Sequence, residues 1–373
     1  MTVSERRPEA MAMALRGWLA TKLGLADAPV LTDVRMPEFG GLSSTSLLFR
    51  ATWTGEGQGE GHGEGQGAAF VARMAPEPSA VPVFPRYDLP GQFAVISQVA
   101  ALSDVPVPRL RWNHPTDDGP FGAPFFVMEQ VEGRVPLDNP PYVFTGWLAE
   151  ASDQERDALT RESVEILVRL HAIPDAPRAF GLLCPPDGVD ALPWHVQGQR
   201  SYYQWALAAD GLTIPIIERG FDWLDRHWPA EPGPAVLSWG DARIGNIIYD
   251  GFTPVAVLDW EMAGLAPREV DLGWFVFLHR FFQDIADFFE HPGLPGFLRR
   301  SEVERLYAGF SGHQPQDMDF YLTYAAVRHA IIMARIRRRM IHFGEEQVPD
   351  DPDDYVMHRP GLERLLAGTY RWD

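Results

Sequence analysis

The sequence is nearly free of cysteine, since Cys184 is the only one among 373 residues. A single cysteine cannot form a disulfide within the chain, and a zinc site built on several cysteines is excluded as well. Long apolar runs are also missing: no stretch of about 18 apolar residues occurs, which is the length that a membrane span requires. The N-terminal segment mixes charged residues into its apolar positions, unlike a secretory signal. These features predict a cytoplasmic protein without a membrane span.

Basic residues are scarce relative to acidic ones: 32 Lys and Arg stand against 51 Asp and Glu, for a formal net charge of −19. Nucleic acids bind to basic surfaces that neutralise phosphates, so this balance argues against a nucleic-acid partner. An arginine-rich segment at 335–339 is the local exception, and the acidic segment 350–354 follows it closely. We therefore expect these arginines to form a solvated helix face or internal ion pairs.

The first third of the chain has the pattern of a small sheet. After an N-terminal helix, strand-like segments flank a Gly/Ser turn at 39–46 and recur at 68–75, 109–112 and 123–131. A helix is predicted over 87–104, with Asp88 as its N-cap. The tract 55–67 has glycine at every odd position. Such a tract buries little apolar surface, so we expect a poorly ordered hairpin tip there.

Longer helical segments dominate beyond Gly133. Apolar spacing predicts helices at 157–172, 198–209, 215–227, 276–290, 302–310 and 318–342. A short β-like block at 236–260 lies between them. His171 shares the apolar face of the first helix, so we expect a hydrogen-bonded core histidine rather than a metal ligand. The predicted organisation is a sheet-rich lobe over 1–128 and a helical lobe over 129–373.

The segment SWGDARIGNIIYD at 238–250 places Asp241 and Asn246 five positions apart, just before a predicted strand. This D-x-x-x-x-N spacing is that of the protein-kinase catalytic loop, in which Asp accepts the proton of the attacking hydroxyl and Asn binds a metal ion. Asp259 follows the second strand of a predicted hairpin, so it should return toward Asn246. A carboxylate there suits Mg²⁺. Each residue alone is also a common turn former, but their combination favours the catalytic interpretation.

The segments WGDARIGNIIYD, VAVLDWEMAG and EVDLGW together resemble the core of the aminoglycoside phosphotransferase and choline kinase-like family. The likeness extends over about 34–343 and is strongest at 236–275. It implies an α+β, bilobal protein-kinase-like fold with a small antiparallel-sheet N-lobe and a larger, mainly helical C-lobe. It further implies that Asp241 is the catalytic base and that Asn246 and Asp259 hold Mg²⁺.

The resemblance also assigns positions around the nucleotide. The turn expected to cover its phosphates contributes Gly40, Gly41, Ser43 and Ser44. No helix follows this turn, so a Walker-type phosphate loop is excluded. The segment FFVMEQVEG resembles the hinge between lobes, where backbone groups of Glu129 and Val131 would meet adenine and Met128 would line the pocket. Asp271 is expected to brace the catalytic loop, and Glu261 is either an outer metal contact or a surface residue.

Three features depart from the family pattern. Arg73 stands where such kinases carry a strand-three Lys that touches the α- and β-phosphates; an exposed strand Arg is the alternative. The acid that pairs with this basic residue has no clear counterpart, and Asp88 and Gln92 are the candidates. Trp239 replaces the usual His two residues before Asp241. The base itself is retained, but the exact orientation of its carboxylate is in question.

These patterns predict an ATP- and Mg²⁺-dependent phosphotransferase that moves the γ-phosphate to a hydroxyl of a small molecule. The alternative is a nucleotide-binding pseudokinase, which the three departures favour and the intact base and metal positions oppose. The family offers polycationic amino sugars, and hydroxylated acids or their acyl thioesters, as acceptors. The acidic composition favours a cationic acceptor. The aromatic segments 202–206 and 274–282 favour a partly apolar hydroxyl acceptor, which is our expectation, and oligomeric state is left open.

Overall fold

A computed structural model describes residues 7–37, 44–54, 66–207 and 211–372. The predicted turn residues Gly40, Gly41 and Ser43 lie outside the described residues, as does the glycine-rich tract up to residue 65. Contacts divide the chain into two compact units. One comprises the described residues up to Ser97 together with Val107–Glu132, and the other comprises Gln98–Pro106 and the residues from Gly133 onward. The lobe limits predicted from the sequence stay a prediction.

The first unit contains a five-stranded antiparallel sheet with strand order β1-β2-β3-β5-β4. Its strands are β1 (Val30–Arg35), β2 (Thr45–Trp53), β3 (Gln66–Met74), β4 (Leu110–His114) and β5 (Phe125–Glu129). Helix α1 (Pro8–Leu23) precedes the sheet, and helix α2 (Leu89–Leu102) lies between β3 and β4 in the chain. The backbone N–H of Gly91 donates to Asp88 Oδ1 at 3.0 Å, which confirms Asp88 as the cap of α2.

The core of this unit follows from the alternation of apolar residues along the strands. Successive side chains of a strand point to opposite faces, so every second residue can be buried. Leu47, Phe49 and Ala51 of β2 are buried in this way, and so are alternate residues of β3. They form one cluster with the apolar face of α1, including Leu15 and Leu19.

The second unit is mainly helical. Its longer helices are α3 (Asp153–His171), α5 (Ala191–Leu207), α6 (Pro215–Arg226), α7 (Arg268–Phe288), α8 (Arg300–Ser311), α9 (Met318–His342) and α10 (Arg359–Leu366), with the short α4 (Ala176–Ala179) after α3. Two small antiparallel pairs lie among them: β6 (Val236–Ser238) with β9 (Gly264–Ala266), and β7 (Ile247–Asp250) with β8 (Thr253–Val257). A membrane-spanning helix is absent from the described part of the chain.

Two sequence expectations about the helical unit can be compared with this structure. Helix α7 begins at Arg268 rather than near 276, because its polar first turn carries Glu269 and Asp271, which are buried with hydrogen-bond partners. In the arginine-rich segment, Arg337 pairs with Glu346 at 2.7 Å and Arg335 lies over the ring of Trp205. The expectation of internal ion pairs is therefore confirmed at Arg337, whereas Arg335 makes a cation–π contact.

Candidate active site

The loop between β6 and β7 carries Asp241 and begins with a sharp turn at Gly240. The φ angle of Gly240 is +88°, a conformation that L side chains rarely adopt. A Cβ at this position would lie 2.0 Å from the carbonyl oxygen of Met262. Only glycine therefore fits directly before Asp241, and the turn fixes the direction in which the chain enters the loop.

Asp271, on the first turn of helix α7, stabilises the turn at Gly240 through hydrogen bonds. Its Oδ1 accepts hydrogen bonds from Ser238 Oγ at 2.7 Å and from the Gly240 N–H at 3.0 Å. Its Oδ2 accepts from the Trp239 N–H at 2.7 Å and from His171 Nε2 at 3.1 Å. Burial alone would raise the pKa of Asp271, but these hydrogen bonds, led by that of His171, lower it below the ordinary value. The predicted bracing role of Asp271 is confirmed.

His171 is a core residue, as expected from its place on an apolar helix face. It is only 3% exposed. Its Nδ1 is hydrogen-bonded to the hydroxyl of Tyr307 at 2.8 Å, and its Nε2 to Asp271. Both ring nitrogens are engaged, so neither is available to a metal ion.

The carboxylate of Asp241 is held by three donors. Trp274 Nε1 donates to Oδ1 at 2.7 Å, while Asn246 Nδ2 and Arg243 Nε donate to Oδ2 at 2.7 Å and 3.2 Å. A carboxylate has about four acceptor positions, so one remains on the Trp274 side. The side chain of Asp241 is 17% exposed, so it is not sealed off from solvent.

Arg243 lies between two carboxylates. Besides its contact with Asp241, its Nη1 donates to both oxygens of Asp138, at 2.8 Å and 2.7 Å. Burial alone would lower the pKa of Arg243, but the carboxylates of Asp241 and Asp138 raise it above the ordinary value. Arg243 therefore stays a cation beside the candidate base. Sequence reasoning missed it, although its position two residues after Asp241 was a usable signal.

Asn246 and Asp259 are brought together by the β7–β8 hairpin. The Leu258 N–H donates to the Asn246 carbonyl at 2.8 Å, so Asp259 lies one residue beyond a direct backbone pair. Asn246 Nδ2 donates to the backbone carbonyl oxygen and to Oδ2 of Asp241. These two bonds fix the orientation of the Asn246 amide group, so its Oδ1 is the atom that could bind a metal ion. Asp259 has φ +59°, a left-handed conformation that is uncommon outside glycine and often found at functional sites.

These two residues offer a small, oxygen-only donor set. Within the described ranges, no group of three or more His, Cys, Asp or Glu could hold a metal ion alone. Mg²⁺ does not require such a group, because it commonly binds one or two protein oxygens, substrate phosphates and water. Asn246 Oδ1 and the Asp259 carboxylate therefore fit a magnesium ion that arrives with a nucleotide.

Trp239, where the family usually has His, is fully buried. Its Nε1 donates to the carbonyl oxygen of Leu258 at 2.8 Å, and its ring lies 6.0 Å from that of Trp260. The side chain thus links the loop of Asp241 to the segment that carries Asp259. A tryptophan can supply an orienting hydrogen bond as a histidine can, so this departure is structurally accommodated.

The residues expected near the nucleotide phosphates lie in the sheet unit. Arg73 on β3 pairs in register with Ser46 and Phe126 and is only 9% exposed, so the alternative of an exposed strand arginine is wrong. Ser44 is half-buried directly before β2. Asp88 caps α2, whereas Gln92 one turn later is buried, and the replacement of the missing acid by either residue stays a prediction.

The expected adenine-contacting segment continues from β5. Met128 is 8% exposed and Glu129 is half-buried beside Arg111, whose Nη1 lies 3.2 Å from Glu129 Oε1. The Glu129 N–H donates to Arg109 O at 2.9 Å. The Gln130 N–H still donates to Ala69 O at 2.9 Å, and Val131 is the next residue along the chain. The role of these residues toward adenine remains a prediction.

Comparisons with known proteins agree with this architecture. A model of the phosphotransferase enzyme family matches residues 62–305 of the chain. A structure from Ralstonia eutropha, described as that of an aminoglycoside phosphotransferase, is similar with a TM-score of 0.63 and 20% identity, over 96% of this chain and 97% of that one. Aminoglycoside phosphotransferase APH(4)-Ia, in a ternary complex with AMP-PNP and hygromycin B, is similar with a TM-score of 0.55 and 13% identity, over 95% and 98% of the two chains. The protein-kinase-like fold is thereby confirmed.

A relative of a different kind is acyl-CoA dehydrogenase family member 11 of Homo sapiens. The two sequences are 25% identical over 313 residues, which cover 81% of this chain and 38% of that protein. Member 10 of Mus musculus is 27% identical over 256 residues, covering 66% of this chain and 22% of that protein. The chain thus spans well under half the length of these curated relatives.

Proposed function

The chain belongs to the phosphotransferase enzyme family, and on that basis we propose that it transfers the γ-phosphate of ATP to a hydroxyl of a small molecule. The observation that carries this proposal is the state of Asp241. Its carboxylate is fixed by three donors, retains one acceptor position, and is partly exposed on a loop that Asp271 braces. A preorganised acceptor of this kind suits a base that must receive one proton in one direction.

The proposed reaction follows from these positions. The acceptor hydroxyl donates its proton to Asp241 while its oxygen forms a bond to the γ-phosphorus, and the bond to the β-phosphate oxygen breaks so that ADP leaves. Asn246 and Trp274 keep the carboxylate from rotating away. When bound, Mg²⁺ held by Asn246 Oδ1 and Asp259 would neutralise phosphate charge.

ATP as the phosphate donor is supported by the similar structure that contains AMP-PNP, an ATP analogue. In this chain we assign Arg73 and Ser44 to the phosphates, and Met128, Glu129 and Val131 to adenine. Arg73 is buried in the sheet, as a phosphate-directed cation on an interior strand would be.

The pseudokinase alternative loses part of its support. Trp239 is integrated by its hydrogen bond to Leu258 O, and Arg73 is a buried basic side chain. The remaining departure is the missing helix acid, for which Asp88 and Gln92 are still the two candidates. Asp241, Asn246 and Asp259, the positions that the chemistry needs most, are all present, so we favour a working enzyme.

For the acceptor we propose a hydroxylated acyl group, carried as a thioester. The names of the relatives, which are acyl-CoA dehydrogenases, support this class. The aromatic residues of α7 do not, because Phe275, Phe277 and Phe281 are buried core residues. A small cavity beside Gly245 and Phe282 suits a water molecule rather than an acceptor.

The experiment is a measurement of ADP release with ATP and Mg²⁺ across four acceptor classes: hydroxyacyl thioesters, free hydroxy acids, aminoglycosides and macrolides. Phosphorus NMR of the product would identify the phosphorylated oxygen. We expect turnover with hydroxyacyl thioesters, lowered by about 10²-fold or more in Asp241→Asn and retained in Asp250→Asn, a matched change at an exposed position of the same segment. Turnover with aminoglycosides alone would refute the acceptor class. Absence of ATP binding by the parent protein would refute the phosphotransferase itself.

A further inference from the structure

Arg328, near the middle of α9, is a fully buried guanidinium that the reaction outlined above does not use. Its Nη2 donates to the carbonyl oxygen of Gly240 at 3.1 Å. Within the parts of the chain that the structure describes, its Nε and Nη1 have no hydrogen-bond partner. Burying a cation with unused donors is costly, so its presence calls for a specific explanation.

The guanidinium makes cation–π contacts with two aromatic rings. It lies 4.5 Å from the centre of the Trp274 ring and 5.7 Å from that of Tyr324. Such cation–π contacts are strongest when the cation is removed from water, as it is here. They provide a direct attraction between Arg328 and Trp274, the residue whose Nε1 donates to Asp241.

Arg328 therefore contacts two groups that adjoin Asp241, the candidate base. One contact is the carbonyl of Gly240, the residue immediately before Asp241. The other is the ring of Trp274, whose N–H binds Asp241 Oδ1 at 2.7 Å. A cation over the face of an indole draws electron density from the ring, which makes the N–H a stronger donor. Both contacts restrain the carboxylate without touching it.

Burial lowers the pKa of Arg328 below its ordinary value, and Tyr324, Asp271 and Asp241 oppose only part of this shift. The guanidinium still carries its positive charge, because the ordinary pKa of arginine lies far above neutral pH. His195 hydrogen-bonds the Tyr324 hydroxyl at 2.6 Å, and burial followed by the charge of Arg328 lowers the pKa of His195 to about 3. The histidine is thus neutral at ordinary pH and adds no second charge to the cluster.

We propose that Arg328 is a positioning residue for phosphoryl transfer: it fixes Trp274 and Gly240, and through them the orientation of the Asp241 carboxylate. This inference rests on the proposed role of Asp241. It predicts that loss of the guanidinium slows the chemical step and leaves nucleotide binding intact, because the contacts given above, all within the described residues, do not involve Arg73, Ser44 or the residues assigned to adenine.

The first test needs no substrate. In a ¹⁵N-labelled protein the Trp274 indole N–H resonance is identified by its loss in Trp274→Phe. We expect Arg328→Met to move this resonance upfield and to speed its exchange with water, and Arg328→Lys to produce a smaller change because a cation is retained. An unchanged resonance in Arg328→Met would overturn the proposal.

The second test is kinetic. We expect Arg328→Met to lower kcat by about 10- to 100-fold, the scale for a misplaced catalytic group, with KM for ATP changed less than about 2-fold. Arg328→Lys should recover part of the loss. Combining Arg328→Met with Trp274→Phe should cost little more than either change alone, because both act on one hydrogen bond.

The outcomes separate this inference from the proposed function. If Asp241→Asn and the parent turn over equally, the role of Asp241 fails, while the indole resonance still decides whether Arg328 positions Trp274. If Arg328→Met only lowers stability, with kcat and the resonance unchanged, Arg328 is a packing residue and the inference is wrong. Should Arg328→Met not fold, Arg328→Lys provides the same two measurements, and parental values in both would overturn the inference.

Discussion

Replacing Asp271 by asparagine preserves the shape of the side chain and removes the charge that organises the catalytic loop. The carboxylate is completely buried and accepts four hydrogen bonds, two on each oxygen. An amide has one oxygen and one NH₂ group. Whichever way it is placed, the NH₂ group faces a backbone N–H, either that of Gly240 or that of Trp239. Two of the four native bonds are therefore lost.

The magnitude follows from the type of bond that is lost. Hydrogen bonds to a charged group are worth about 1.5–3 kcal/mol each, so two of them amount to about 3–6 kcal/mol. We therefore expect the free energy of unfolding to fall by about 3–6 kcal/mol in Asp271→Asn.

The pH dependence of this loss has a definite sign. The pKa of Asp271 is lowered in the folded protein, so the carboxylate contributes stability above its unfolded pKa of about 3.9. That contribution is lost only as the pH falls through the lower folded pKa. The difference between parent and Asp271→Asn should accordingly be the same at pH 6 and pH 8.

The assay is urea unfolding followed by circular dichroism. Asp250→Asn is the control, since Asp250 is exposed and a surface change of this kind costs less than about 0.5 kcal/mol. A loss below about 1 kcal/mol in Asp271→Asn, which is less than one charged hydrogen bond, would refute the idea that Asp271 holds the loop.

Other predictions concern the metal, the buried histidines and the acceptor. ATP at 100 times its Kd should stabilise the parent protein by about 2.7 kcal/mol. The part of the ATP-induced thermal shift that EDTA removes from the parent should be missing in Asp259→Ala. A shift in Asp259→Ala equal to that of the parent would place the metal elsewhere. Burial lowers the pKa of four histidines of the helical unit, His195, His279, His329 and His358. As the pH decreases, the unfolded chain binds protons before the folded protein does, so the free energy of unfolding should decrease at pH values below about 6.5. The expected loss at pH 5.5 is about 1.4 kcal/mol per histidine. Equal urea midpoints at pH 7.5 and 5.5 would contradict this prediction. The acceptor KM should change little between low and physiological salt if the acyl part provides the contact; a steep rise for an aminoglycoside would favour a cationic acceptor.

The loop and hairpin of the site could be predicted because their geometry is local. Asp241, Asn246 and Asp259 lie within one short segment, and hairpin pairing necessarily returns the third residue toward the second. The same applies to Asp88, whose cap depends on the next three residues. Spacing along the chain was sufficient in these cases.

The residues that orient the base could not be found in this way. Trp274 lies 33 residues from Asp241, and Arg328 lies 88 residues from Gly240. Each belongs to a helix whose apolar pattern predicts core packing, and that packing is real. What the pattern does not reveal is that one buried indole N–H and one buried guanidinium are directed at the loop, because this depends on how α7 and α9 pack.

The most direct test of the phosphotransferase mechanism is a single-turnover measurement with Asp241→Asn. Enzyme in excess over labelled ATP, with Mg²⁺ and the best acceptor from the screen, would report phosphoryl transfer without the contribution of product release. We predict a rate lower by about 10²-fold or more, the scale of a lost general base, with the ATP-induced thermal shift unchanged. Transfer at the parental rate in Asp241→Asn would contradict the assignment of Asp241 as the base.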